Sequence, residues 1–83
     1  MFYTYILYSQ MLDRHYIGFT TDTVENRLAK HLLSKKGFTS KAKDWKIVYK
    51  DSFLTKSQAM LREKEIKNWR NRKMIENLIR STE

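Results

Sequence analysis

The chain has 83 residues, with 17 lysines and arginines against 9 acidic residues, a net charge of +8 and no cysteine. This length predicts a single domain over residues 1–83, which buries roughly 60% of the surface that its unfolded chain exposes. The charge favours a polyanionic partner over a neutral small molecule. Without cysteine, disulfides and cysteine-based nucleophiles or metal sites are excluded, and two histidines are too few for a zinc finger.

Hydropathy gives no sign of membrane attachment or export. No apolar run approaches about 18 residues, and no basic segment precedes an apolar one at Met1. We therefore expect an unprocessed, soluble protein that resides in the cytoplasm, with a monomer as the default state.

The first quarter of the chain predicts a β-hairpin. Phe2 to Ser9 is dense in aromatic and β-branched residues on both faces, which suits a central strand covered on both sides. A polar connection leads to a shorter strand, His15 to Phe19, and the short link favours antiparallel pairing. Gly18, near the end of this strand, indicates a β-bulge or a close approach of the backbone.

A helix is predicted after the hairpin. Asp22 and Glu25 resemble a capping box with aspartate as the cap. The helix is expected to end between Ser34 and Gly37, where glycine suits a cap. Its apolar stripe consists of residues at four-residue spacing, namely Val24, Leu28 and Leu32.

The second half predicts a third strand and two more helices. A polar loop at 35–44 precedes strand character at 45–53. Thr55 to Gln58 resembles a second capping box, and the helix that it opens places Glu63 between Ala59 and Ile66 on its apolar face. A basic interruption at 70–73 then separates this helix from a short final one. The predicted order is β-β-α-β-α-α.

Five side chains in this pattern suit phosphodiester hydrolysis, which needs an activated water, stabilised phosphoryl oxygens and usually a divalent cation. Tyr5 and Tyr16, on strands expected to be adjacent, are candidate bases if a cation or metal-bound water lowers the cost of ionising a phenol. Arg27 suits bidentate contact with a phosphate, and His31, one helical turn on, suits a base or a group that orients water. Glu63 suits magnesium, which one carboxylate holds together with waters and substrate phosphate.

Each of these residues also has a structural interpretation. Taken singly, Arg27 is typical of a surface cation and His31 of a partly buried histidine, while Glu63 suits an ion pair with Lys67, four residues on. Tyrosines in strands are usually core residues with a hydrogen-bonded hydroxyl, as expected for Tyr3, Tyr8 and Tyr49.

The order of the candidate residues resembles that of the GIY-YIG nuclease superfamily over nearly the whole chain. The resemblance is carried by Tyr5, by Tyr-Ile-Gly at 16–18, by Arg27 and His31, and by Ala59-x-x-x-Glu63. It extends to the small stand-alone bacterial members, which are similar to the N-terminal nuclease domain of excinuclease. It implies an α+β fold with a small three-stranded antiparallel sheet flanked by helices, and metal-dependent cleavage of a nucleic-acid backbone.

The resemblance also implies roles for individual residues. Tyr5 and Tyr16 would be the two motif tyrosines, one of them the general base. Gly18 would be the motif glycine and Arg27 the arginine that stabilises the phosphate. Glu63 would bind the metal, with Mg²⁺ or Mn²⁺ as the cofactor.

His31 matches a histidine that many members carry four residues after the arginine. Three positions depart from the family pattern. The first motif lacks its glycine, and Phe19 stands where several members carry lysine. The asparagine that often follows the metal-binding glutamate has no clear counterpart, with Asn71 and Asn77 nearby.

The leading hypothesis is an endonuclease of low sequence specificity that acts most readily on DNA, in repair or recombination. The alternative is a non-catalytic module that binds nucleic acid. A third interpretation, a protein–protein adaptor with Trp45 and Trp69 as exposed anchors, fits the charge poorly. Under both of the first two hypotheses, phosphates would be bound by the basic residues of the loop and of the interruption, which are Lys35, Lys36, Lys41, Lys43, Arg70, Arg72 and Lys73.

Overall fold

The computed structural model describes residues 1–82, and the predicted domain end at Glu83 lies outside the described residues. The elements follow one another as β1 (Phe2–Ser9), β2 (Arg14–Thr20), α1 (Val24–Leu33), a 3₁₀ helix (Phe38–Lys41), β3 (Lys46–Phe53), α2 (Lys56–Trp69) and α3 (Arg72–Ser81). The predicted α+β class and the order β-β-α-β-α-α are confirmed.

β1 is the central strand of a three-stranded antiparallel sheet with the order β2-β1-β3. Because side chains alternate along a strand, β1 contributes to two cores. Tyr5 and Leu7 pack with Val24 of α1 on one face. Ile6 packs with Ile66 of α2 on the other face, where the apolar residues of α3 join the cluster. The predicted central strand with two covered faces is confirmed.

Gly18 is the point where β2 approaches β1 most closely. It lies opposite Tyr5 in the register of the two strands, and a Cβ at this position would lie 2.6 Å from the Tyr5 hydroxyl oxygen. The pairing of β1 with β2 continues without a shift, and the irregularity in the sheet lies instead between Ile6 and Leu7 against β3. The close approach predicted for Gly18 is therefore confirmed, and the bulge is wrong.

The caps predicted for α1 are wrong at both ends. Thr23 is the N-cap, with extended backbone, and its hydroxyl accepts a hydrogen bond from the Asn26 N–H at 3.1 Å. Asp22 accepts from the Thr23 N–H instead, because its side chain lies one residue too far from the first turn. At the other end the C-cap is Ser34, in extended backbone. Gly37 takes a φ of 84° and opens the 3₁₀ helix rather than closing α1.

The connection between α1 and β3 is more structured than the predicted polar loop. Its 3₁₀ helix buries Thr39, whose carbonyl accepts a hydrogen bond from Trp45 Nε1 at 3.0 Å. Trp45 is 3% exposed and belongs to the core, so β3 begins one residue after it. Trp69 is half-buried against the second core cluster. The prediction that these two tryptophans are exposed anchors is wrong.

The capping box predicted at the start of α2 is confirmed. The Thr55 hydroxyl accepts from the Gln58 N–H, and the Gln58 side chain accepts from the Thr55 N–H. α2 buries Ala59 and Ile66, as their spacing predicts. Within residues 1–82, neither α2 nor any other helix has the length and apolar character needed to cross a bilayer.

The junction between α2 and α3 is shorter than predicted. Arg70 ends α2 in left-handed backbone, and Asn71 caps α3 by accepting a hydrogen bond from the backbone N–H of Met74. Arg72 therefore lies in α3 rather than in an interruption, as does the next residue. Its guanidinium donates to the carboxylate and the carbonyl of Asp13, in the hairpin turn. This contact fastens α3 to the first two strands.

Candidate active site

The five predicted catalytic residues lie around the hydroxyl group of Tyr5. The Tyr5 hydroxyl lies 2.9 Å from Nε2 of His31 on α1. The Arg27 guanidinium, one turn earlier on the same helix, reaches the same hydroxyl. Tyr16 on β2 and Glu63 on α2 are close enough for their charges to influence the pKa of Tyr5. Three separate elements thus bring together residues that the sequence spaces over most of its length.

Burial makes Tyr5 a reluctant acid. Its side chain is 1% exposed. Burial raises the pKa of Tyr5 to about 12, the Arg27 guanidinium opposes this rise, and the Tyr16 phenol and the Glu63 carboxylate add to it. Tyr5 is therefore protonated throughout the neutral range. If it accepts a proton, it has to release its own, and the bond to His31 provides an acceptor.

His31 is held at both ring nitrogens. Nε2 faces the Tyr5 hydroxyl, and Nδ1 lies 3.0 Å from the Thr39 hydroxyl oxygen. The residue is 6% exposed. Burial lowers its pKa, and the charge of Arg27 lowers it further, so the ring is neutral above pH 6.5. In the tautomer with hydrogen on Nδ1, Thr39 accepts from His31 and Tyr5 donates to it.

Thr39 is a site residue that sequence reasoning missed. It lies eight residues after His31, within a segment that reads as a polar loop. Nothing in its local sequence marks it, because the contact depends on the 3₁₀ helix turning its hydroxyl back toward α1.

Tyr16 lies between the buried pair and the surface. It is half-buried, and its ring meets the His31 ring edge to face at a centroid distance of 4.8 Å. The ring of Phe38 stacks beside it at 6.4 Å, with an interplanar angle of 20°. Tyr16 therefore connects the Tyr5–His31 pair with the 3₁₀ helix.

Arg27 connects the same pair with a cationic cleft. It is half-buried and lines a cleft of about 290 Å³ together with Thr20, Lys30 of α1 and Lys56 of α2. Asp22 also lines this cleft, but its carboxylate accepts hydrogen bonds from the start of α1. Sequence reasoning missed both lysines, since only the fold brings these helices together.

Glu63 borders an open groove on α2. The groove has a volume of about 470 Å³, with Met60, Lys64, Lys67 and Asn68 among its lining residues. The Glu63 carboxylate accepts from Lys67 Nζ at 3.2 Å. The ion pair expected under the structural interpretation is therefore present. It leaves Glu63 half-buried beside Tyr5, as a metal ligand there requires.

The donor set around Tyr5 fits a hard, hydrated cation. Across the 82 residues described, no three His, Asp or Glu side chains converge on a point that could hold a metal. A full protein cage for a metal is therefore not formed in this region. One carboxylate oxygen suits Mg²⁺ or Mn²⁺, which would complete its shell with waters and phosphate oxygens.

The cations predicted to bind nucleic acid fall into two groups. Some already have partners within the protein. Lys43 Nζ donates to two carbonyls at the end of α1, Arg72 is bound to Asp13, and Lys41 Nζ lies 5.3 Å from the centroid of the Phe38 ring. The remaining residues of the predicted set are exposed, namely Lys35, Lys36, Arg70 and Lys73.

A small α+β fold that gathers tyrosines, an arginine, a histidine and one carboxylate belongs to the class of nuclease domains. The GIY-YIG catalytic domain family matches residues 1–77, and the chain belongs to this family. The predicted membership is thus confirmed. GIY-YIG nucleases act on nucleic acid and are generally dependent on a divalent metal. Comparisons with curated proteins and with solved structures gave no match.

Proposed function

We propose that this protein is a metal-dependent endonuclease that hydrolyses phosphodiester bonds in nucleic acid, most readily in DNA, with low sequence specificity. The observation that supports this most directly is the hydrogen bond between the Tyr5 hydroxyl and His31, within reach of Arg27 and Glu63. A domain of this size has little surface for reading base edges, which supports low specificity. The similarity to the nuclease domain of excinuclease supports a role in DNA repair.

In the proposed reaction, Tyr5 accepts a proton from the attacking water while its own proton passes to Nε2 of His31. A concerted transfer suits this pair, because a phenol with a pKa raised to about 12 does not ionise by itself at neutral pH. Thr39 supports the transfer by accepting from Nδ1, which leaves Nε2 as the basic nitrogen. The imidazolium then returns its proton to solvent.

Arg27 has two effects in this proposal. Its guanidinium binds the phosphoryl oxygens and stabilises the charge that they gain in the transition state. Its charge also lowers the pKa of free His31. A bound phosphate would neutralise that charge and make His31 a better proton acceptor once substrate is present.

Glu63 would hold the divalent cation, for which we propose Mg²⁺ or Mn²⁺. A bound cation would supply positive charge to the phosphate oxygens. The Lys67 ammonium, which now pairs with Glu63, would be released and could bind a phosphate. Phosphates beside the scissile one would bind in the cleft with Lys30 and Lys56. About 5 such backbone contacts would give a slope of roughly −4 for log affinity against log salt on duplex DNA.

The test compares Glu63→Gln with Glu65→Gln on labelled single-stranded, duplex and branched DNA and on RNA, with Mg²⁺, Mn²⁺ or EDTA. Glu65 is a matched control, since it lies on the same helix and pairs with Arg62 at the surface. We expect metal-dependent cleavage by the wild type and by Glu65→Gln, and none by Glu63→Gln. Binding of nucleic acid and thermal unfolding should be similar in all three proteins.

The second candidate is a basic module that binds nucleic acid without cutting it. The ion pair between Glu63 and Lys67 favours this candidate, because it already satisfies the carboxylate that the metal needs. Tight, salt-sensitive binding without cleavage of any substrate would establish it. Cleavage that persists in Glu63→Gln would instead remove Glu63 from the mechanism.

A further inference from the structure

Phe38 is an exposed aromatic residue at the mouth of the candidate site. Its side chain is 40% exposed. One contact is the stacked ring of Tyr16, and another is Trp45, whose ring lies at 5.8 Å with an interplanar angle of 50°. A single exposed apolar residue is common on protein surfaces. Phe38 differs because its ring extends a row of aromatic rings that begins at the buried Tyr5–His31 pair.

The backbone on both sides of Phe38 is fixed. Gly37 has a φ of 84°, in the region that favours glycine, and its carbonyl accepts from the N–H and the hydroxyl of Ser40. Thr39 is buried, bound through its hydroxyl to His31 and through its carbonyl to Trp45. The 3₁₀ helix therefore holds Phe38 in place and leaves its ring accessible.

Lys41 places a positive charge next to this ring. Its Nζ lies 5.3 Å from the centroid of the Phe38 ring, and the residue is exposed. An aromatic face with an adjacent ammonium group matches the two parts of a nucleotide, a planar base and a phosphate. The ammonium is on a flexible side chain and can move to a phosphate when a base covers the ring.

We propose that Phe38 and Lys41 form a nucleotide subsite beside the catalytic centre, where Phe38 stacks on the base next to the scissile phosphate and Lys41 binds that nucleotide's phosphate. The position of this subsite relative to the cut bond rests on the proposed function. Stacking uses the face that all bases share, so the subsite accepts any base and fixes the strand without reading its sequence.

The test measures binding in EDTA to two single-stranded oligomers of equal length, one of ordinary deoxynucleotides and one of abasic deoxyribose phosphates. Both are titrated with the wild type, Phe38→Leu, Phe38→Trp and Lys41→Met. Met11→Ala is the control, since Met11 is an exposed apolar residue in the hairpin turn. A 2-aminopurine base placed at successive positions reports stacking by quenching of its fluorescence.

Phe38→Leu should weaken binding of the ordinary oligomer on the order of 10-fold and leave binding of the abasic oligomer unchanged. Phe38→Trp should retain the affinity and quench 2-aminopurine. Lys41→Met should lower the salt slope by about one on both oligomers. Met11→Ala should bind as the wild type does.

Equal losses on both oligomers in Phe38→Leu would show that the ring only supports the fold, and no loss on either would show that it does not touch the strand. Either outcome overturns the proposal. Because these measurements need no cleavage, they remain decisive if the protein proves to cut no substrate. Base-dependent binding without cleavage would refute the nuclease and retain the subsite.

Discussion

The two faces of β1 bury different kinds of chemical group. Toward α1, Tyr5 is part of a polar chain that continues through His31 to Thr39. Toward α2, Ile6 packs against Ile66 in an apolar cluster. Burying a phenol and an imidazole costs desolvation that hydrogen bonds only offset, whereas burying aliphatic side chains is favourable by itself. The comparison indicates that the α2 face holds the fold together and that the α1 face is kept for chemistry.

Charged groups on the α2 side are at the rim rather than in the core. The Arg72 guanidinium, with help from the Tyr8 hydroxyl, lowers the pKa of Asp13 to about 2. These side chains are exposed, so the contact orients α3 without burying a charge. On this side of the sheet, polar groups connect elements at their edges. On the α1 side they occupy the centre.

The largest expected effect is on stability, from Ile66→Ala. Ile66 is fully buried among Ile6, Tyr49 and the apolar residues of α3. Its truncation should lower the free energy of unfolding by about 2–5 kcal/mol, which is much of what a small domain possesses. Urea unfolding followed by circular dichroism measures this. The cleavage rate per folded molecule should not change, and a selective loss of cleavage at unchanged stability would contradict the division between the faces.

Gly18→Ala should have the opposite signature. The new Cβ would lie 2.6 Å from the Tyr5 hydroxyl oxygen and 2.8 Å from its Cζ, so the ring must move away from His31. We expect cleavage to fall on the order of 100-fold, since displacements of about 1 Å have such effects. The free energy of unfolding should fall by about 1–3 kcal/mol, typical of overpacking.

The double variant Gly18→Ala with Tyr5→Phe is the control. It removes the oxygen nearest to the new methyl group, so it should recover part of the lost stability and none of the activity. Wild-type cleavage by Gly18→Ala would show that the position of the Tyr5 hydroxyl does not matter.

Local sequence patterns predicted the parts of the fold that depend on local interactions. The capping box at Thr55 was predicted correctly because both of its hydrogen bonds join residues three apart. The N-cap of α1 was not, because Asp22 and Thr23 are both good capping residues. Backbone geometry, which the sequence does not state, selects Thr23.

The same distinction applies to the candidate site. The motif spacing identified Tyr5, Arg27, His31 and Glu63 as one constellation, and the fold brings them together. Thr39 joins them across a turn of irregular backbone, and no periodicity predicts such a contact. Trp45 was misjudged for a related reason, since its place in the core depends on the carbonyl of Thr39. Sequence reasoning therefore identified the reacting groups and missed the 3₁₀ helix that positions them.

The pH dependence of cleavage offers the subtlest test of the polar face, because it depends on one buried proton acceptor. Burial, and then the charge of Arg27, lowers the pKa of His31 below its ordinary value of 6.5. Neutral His31 is the proton acceptor, so the rate should be independent of its ionisation above pH 6.5. Below the folded pKa, the rate should fall about tenfold per pH unit. The stability that His31 contributes follows the same direction, since it is complete above pH 6.5 and is lost as the pH falls through the folded value.

The measurement is kcat against pH for the wild type, His31→Gln and His15→Gln, with His31 followed by NMR. His15 is the matched control, because burial also lowers its pKa while it lies on the opposite side of the sheet, against Tyr8. The acid limb should persist in His15→Gln and disappear in His31→Gln. A limb that is unchanged in His31→Gln would mean that another group takes the proton from Tyr5. The division between the two faces would then have to be assigned to stability alone.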